Sequence, residues 1–206
     1  MRYAHCYLAM AMGILHKAAT AVGEALSPTR AGVEKLATRR LAAFQTPDFA
    51  SSPDATSSLM VTSPSFVEGG MLPKRCALEG GSEAPALRWS DGPSATASWV
   101  VLCEDPDAPL PAPFVHWLVY DLPADTRSID AATAERFKLG KNSLLQRGFT
   151  GAAPPPGHGL HHYHFQVIAL NVPLALEDAA GRDAVVAAME GHVLAWGELV
   201  GVYERE

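Results

Sequence analysis

Gly148-Phe149-Thr150-Gly151-Ala152-Ala153-Pro154-Pro155-Pro156-Gly157-His158-Gly159-Leu160-His161-His162-Tyr163-His164-Phe165 decides how the chain is read, because a Gly/Pro-rich loop runs here straight into an alternating segment. Tyr163, Phe165, Val167 and Ala169 alternate with His162, His164, Gln166 and Ile168, the period of a β-strand with one core face. Imidazoles therefore crowd the start of a rigid strand, beside a loop whose glycines let backbone approach closely. Such a pairing suits a small anion site. On this reading His164 points to solvent and His158 rims the site.

Outward from that strand the chain keeps the same texture. Short apolar runs separated by Pro and Gly predict an all-β body from Leu59 onward, with strands at Leu59 to Val61, Leu87 to Trp89, Ser98 to Glu104, His116 to Asp121, Tyr163 to Leu170 and Val193 to Tyr203. One helix is expected at Asp183 to Glu190, bracketed by Gly181 and Gly191. Two of these strands end in polar groups. Ser98 to Cys103 leads into Glu104-Asp105-Pro106-Asp107-Ala108-Pro109, where prolines stiffen the backbone that holds two carboxylates. His116 is embedded in the apolar run Phe114 to Tyr120.

The three segments in combination resemble the signature of the phosphatidylethanolamine-binding protein family: Asp105-Pro106-Asp107-Ala108-Pro109, His116-Trp117, Gly140-x-Asn142, Gly151, Pro154-Pro155-x-Gly157 and His161-x-Tyr163-x-Phe165. Met189 to Ala195 and Gly201 to Arg205 are similar to its bacterial branch, the Raf kinase inhibitor-like proteins. The resemblance implies a mainly β fold, an antiparallel Greek-key β-sandwich with few peripheral helices. It also implies a non-catalytic pocket for a phosphate-bearing or similar anionic small ligand, lined by Asp105, Asp107, His116, Gly151, His161 and Tyr163, with neither cofactor nor catalytic residue. Asp105 would orient His116 or His161, and the loop around Gly151 would offer backbone N–H groups. Two departures stand out. Relatives carry proline or a second glycine where this chain has Ala152-Ala153, and arginine where it has His162, which exchanges a permanent charge for one that titrates near neutrality.

Other functions compete. Asp105, Asp107, His116 and His161, with Glu104, could ligate a divalent metal for hydrolysis, although no His-Glu-x-x-His or paired-cysteine spacing supports a metal site. The rim could instead inhibit a kinase or protease, as some relatives of the family do. Neither Ser98 nor Ser143 sits in a nucleophile elbow.

Residues 1–45 fall outside the resemblance and read as a helical extension, 46–58 as a linker, and 59–206 as the β domain. Tyr3, Tyr7, Met10, Ile14 and Ala18 recur at helical spacing, and Ser27-Pro28 opens a second helix carrying Arg39 and Arg40. So apolar a helix needs cover, and a homodimer through these helices is expected, ahead of membrane contact. The apolar run Cys6 to Leu15 lacks a basic leader beyond Arg2 and a cleavage site, so it is expected to be a mature helix of a cytoplasmic protein. Cys6, Cys76 and Cys103 are too few for a disulfide framework, which agrees with a reducing compartment. Residues 1–50 hold six Lys/Arg against three acids, and the rest of the chain ten against nineteen. An acidic body argues against nucleic-acid binding.

Overall fold

The structure, a computed structural model, describes the backbone of residues 56–57 and the whole of residues 59–206. The expected helical extension and nearly all of the expected linker, and the dimer contact assigned to the former, lie outside these residues.

Two sheets form the described body. The larger has the order β1 (Thr56–Ser57), β10 (Val193–Tyr203), β9 (His161–Leu170), β5 (Ser98–Asp105), β6 (Phe114–Pro123), β8 (Lys138–Leu139), with β3 (Gly70–Met71) also on β10. The smaller is β2 (Val61–Thr62), β4 (Leu87–Trp89) and β7 (Ser128–Ile129). β5 and β6 form an antiparallel pair, after which the chain crosses over and returns as β9 on the other side of β5. This is the mainly β, non-sequential antiparallel sandwich that the motifs imply. β1 and β3 pair with β10 in parallel, so Thr56 and Ser57 belong to the sheet rather than to the linker.

All eight residues of β5 are buried, because both faces of the larger sheet are covered. Trp99, Val101 and Cys103 face the smaller sheet together with Trp117, Val119, Tyr163, Phe165 and Val167. Val100 and Leu102 face the reverse side, where helix α2 (Arg182–Met189) supplies Val185 and Met189. A strand buried on both faces reads as a continuous apolar run, which is how Ser98 to Cys103 reads. A four-residue helix, α1 (Ala131–Ala134), escapes the sequence reading; its signal is the Asp130-x-x-Thr133 capping box, in which each side chain accepts from the other's backbone N–H. Cys76 and Cys103 are buried free thiols. Among the described residues no helix is long and apolar enough to cross a membrane.

Candidate functional site

Asp105 ends β5, and its carboxylate is the hub of the site. One oxygen, Oδ1, accepts from the backbone N–H of Asp107 (2.8 Å) and Ala108 (3.1 Å), an Asx turn that fixes the Asp-Pro-Asp segment. The other accepts from His161 Nδ1 at 2.8 Å. Of the two expected alternatives, Asp105 therefore orients His161 and not His116. With Nδ1–H committed to Asp105, the other ring nitrogen of His161, Nε2, meets Nδ1 of His158 at 2.8 Å. His158 sits between Gly157 and Gly159, both at positive φ (71° and 88°), and closes over His161 from the loop as a rim residue would.

His116 reaches the same space because of an irregularity that alternation does not reveal. Cys103 pairs with Trp117 but Glu104 with Val115, so His116 is an extra residue on β6. This bulge turns His116 toward the face carrying Tyr163, whose ring lies edge-on at 5.0 Å. Phe114 (4.6 Å) and Phe149 (6.4 Å) flank the imidazole. Its Nδ1 donates to the Thr150 carbonyl at 2.7 Å. Burial pushes the His116 pKa down more than nearby Asp105 and the Thr150 bond push it up. At neutral pH the ring is uncharged, with its lone pair at Nε2.

Gly151 belongs to the site as a spacer. Its N–H, expected to face a ligand, is spent on Ser82 Oγ at 3.0 Å, while those of Thr150 and Ala152 go to the carbonyls of His116 and Cys76. Glycine is required because a Cβ would lie 2.5 Å from the backbone of Ala77 and Leu78. The Ala152-Ala153 departure is accommodated, with Ala152 buried in a bridge to Ala77 and Ala153 exposed.

Tyr163 is fully buried, and its hydroxyl closes no hydrogen bond of ordinary geometry: the Ala153 backbone N–H approaches the oxygen as a weak donor, while the hydroxyl hydrogen has no acceptor. Desolvation, then Asp105, raise its pKa, so the hydroxyl remains protonated. Asp107 uses Oδ2 to accept from the backbone N–H (2.9 Å) and Nδ1 (2.7 Å) of His162, while Oδ1 is buried without a partner.

The remaining sequence expectations fare differently. His164 does not face solvent: it is 7% exposed, lies on the reverse face of the sheet and bonds Glu198 Oε2 at 3.1 Å. β9 is a central strand, and α2 packs against that reverse face. Glu104 points the same way, 1% exposed and 2.6 Å from Arg182 Nε, so the five residues considered as metal ligands do not converge. Among the described residues no group of three or more His, Cys, Asp and Glu side chains is placed to hold a metal. Ser82, Thr150 and Arg182 have structural roles here that no local sequence signal marks.

The His162–Asp107 pair makes stability depend on pH. Its hydrogen bond raises the His162 pKa; burial would raise that of Asp107, but the bonds from His162 outweigh it and hold the carboxyl low. The histidine contribution is complete below about pH 6.5 and fades as pH rises through its raised value. The aspartate contribution is present above about pH 4 and is lost as pH falls through its lowered value. The unfolding midpoint of His162→Gln should therefore fall furthest below that of the native chain near pH 5.5, and less at pH 8.5. His162→Arg should hold the pair at both. An identical gap at the two pH values would contradict this assignment.

Comparison with known proteins follows the same residues. The family model described as phosphatidylethanolamine-binding protein matches residues 62–204. A UPF0098 protein of Aquifex aeolicus is 38% identical over 152 residues, 71% of this chain and 88% of that protein. The UPF0098 protein YbcL of Escherichia coli is 37% identical over 135 residues, 61% and 74% of the two chains. The crystal structure of a phosphatidylethanolamine-binding protein homologue from Chlamydia trachomatis superposes with TM-score 0.68 at 31% identity, covering 73% of this chain and all of that one.

Proposed function

Because the chain belongs to the phosphatidylethanolamine-binding protein family, whose membership supports binding or regulation in general, we propose that it binds the phosphate or similar anionic group of a small ligand at Asp105, Asp107, His116, His161 and Tyr163. One observation carries this reading: the buried Tyr163 hydroxyl, left without a partner beside two oriented histidines. A buried hydroxyl without a hydrogen bond costs about 1–3 kcal/mol, which a ligand oxygen accepting from it would recover. An anion also favours proton uptake by His116, which then donates from Nε2. Asp105 fixes the orientation of the His161 ring by accepting from its Nδ1–H. No activated nucleophile adjoins these groups among the described residues, so the arrangement performs recognition.

Calorimetric titration with inorganic phosphate and with phosphoethanolamine tests the proposal. The native chain should bind, and His116→Ala should weaken binding by about tenfold or more, the loss of one hydrogen bond to a charged group, and His161→Ala by a similar factor, because it removes the ring that links Asp105 to His158 and holds that wall of the site in place. No binding by the native chain, or equal binding by the variants, would refute it.

A further inference from the structure

What the site lacks is hydrogen. His116 has spent its Nδ1–H on Thr150, leaving a lone pair at Nε2 of the neutral ring. His161 has spent its own on Asp105, and its Nε2 is taken up by Nδ1 of His158. The loop amides of Thr150, Gly151 and Ala152 are committed elsewhere. Asp107 adds Oδ1, buried and unpartnered on a residue only 8% exposed. Its other oxygen, Oδ2, is tied to His162, between His161 and Tyr163 on β9, so the Asp107 carboxylate stands at the end of the strand that carries both of those groups. Among these side chains, before an anion binds, the Tyr163 hydroxyl is the one whose hydrogen is uncommitted.

An anion with no hydrogen of its own would bring an oxygen lone pair against the ionised Asp107 Oδ1. Two acceptors facing one another, both charged and both buried, repel. An anion with a P–OH group has no such conflict: the hydroxyl donates to Oδ1, and another phosphate oxygen accepts from Tyr163. We infer that Asp107 is the specificity-determining residue of the site, and that its ligand is a tetrahedral anion bearing a P–OH hydrogen: inorganic phosphate or a phosphomonoester taken up as its monoanion, as against sulfate or a phosphodiester. This inference rests on the anion-site reading above and narrows it. Sulfate matches phosphate in shape and carries no hydrogen at neutral pH. A diester, the form phosphate takes in an intact glycerophospholipid, has exchanged its hydrogens for carbon. Burial alone would raise the Asp107 pKa, but the hydrogen bonds from His162 hold it low, so the carboxylate is ionised and able only to accept.

The test uses calorimetry on the full chain at about pH 5, below the second pKa of about 6 so that phosphate and methyl phosphate are monoanions bearing a P–OH, with phosphate, methyl phosphate, dimethyl phosphate, sulfate and glycerophosphoethanolamine. Phosphate and methyl phosphate should bind, and sulfate and dimethyl phosphate should bind roughly tenfold to a hundredfold more weakly, the range for leaving a buried charged group without its hydrogen bond. In Asp107→Asn the amide oxygen can still accept from His162 while the NH2 replaces Oδ1, turning the selecting acceptor into a donor. Sulfate and dimethyl phosphate should then come within about threefold of phosphate. A gain of binding cannot come from misfolding. If the native chain binds sulfate as well as phosphate, or if Asp107→Asn leaves the ratio unchanged, Asp107 is not the selector although the anion site stands. If glycerophosphoethanolamine binds the native chain as tightly as phosphate and Asp107→Asn removes that binding, the donor is an ammonium and the monoester inference falls. Absence of binding by every anion would overturn the anion site and this inference with it.

Discussion

Asp105→Ala is expected to abolish phosphate binding and to lower folding stability by about 3 kcal/mol. The carboxylate, 4% exposed, serves three donors: the Asp107 and Ala108 amides and His161 Nδ1. Removing it strands two buried backbone N–H groups and a buried imidazole, each worth about 1–3 kcal/mol when unsatisfied, less what local relaxation and water recover. The functional loss follows from the same bonds. Without the Asx turn the Asp107 carboxylate is no longer fixed, and without Oδ2 the His161 ring is free to rotate or change tautomer. Asp105→Asn separates the two effects. Its Oδ1 still closes the turn but its amide cannot accept from His161, so most of the stability should remain, about 1 kcal/mol being lost, while binding weakens. Urea denaturation and calorimetry on the two variants give the comparison. Native-like affinity in Asp105→Ala would show that His161 is placed by something else.

The second large effect is expected on the opposite face of the sheet. Arg182→Ala should lower stability by about 2–3 kcal/mol, because it withdraws the guanidinium whose Nε lies 2.6 Å from the Glu104 carboxylate. Breaking a buried ion pair by deleting one partner costs about 3–5 kcal/mol, but the Arg182 side chain is 21% exposed, so water relieves part of the penalty. Glu104 immediately precedes Asp105 and points away from the site, so the pair fastens the end of β5 from behind. Phosphate affinity in Arg182→Ala should accordingly fall only a few-fold, about 1 kcal/mol or less. Replacing both residues, as Glu104→Gln with Arg182→Ala, should be less destabilising than Arg182→Ala alone, since no carboxylate is then left behind. Equal stabilities for the single and double variants would mean that Glu104 is satisfied without Arg182.

Legibility in the sequence followed the range of the interactions. The body from residue 59 onward was readable because β5 and β9 carry their pattern locally: an unbroken apolar run for a strand covered on both faces, and Tyr163, Phe165, Val167 for one core face. The motifs resembling a known family name Asp105, Asp107, His116, Gly151, His161 and Tyr163 from the sequence alone. His164 was misread because nothing near it announces that α2, further along the chain, covers that side of β9. The placement of His116 depends on a bulge, which is a property of two paired strands and leaves no trace in the alternation of one. Gly151 was recognised for the wrong physical reason: the constraint comes from the backbone of Ala77 and Leu78, remote in sequence. The choice Asp105 makes between two histidines is likewise set by how β5 and β9 lie side by side.

Crystals of the full chain grown in phosphate at neutral pH test the central claim most directly. Tetrahedral density should lie within hydrogen-bond distance of Asp107 Oδ1, the Tyr163 hydroxyl and His116 Nε2, with His161 still bonded to Asp105. Phosphate bound only at other surfaces, with those three atoms left without it, would contradict the account.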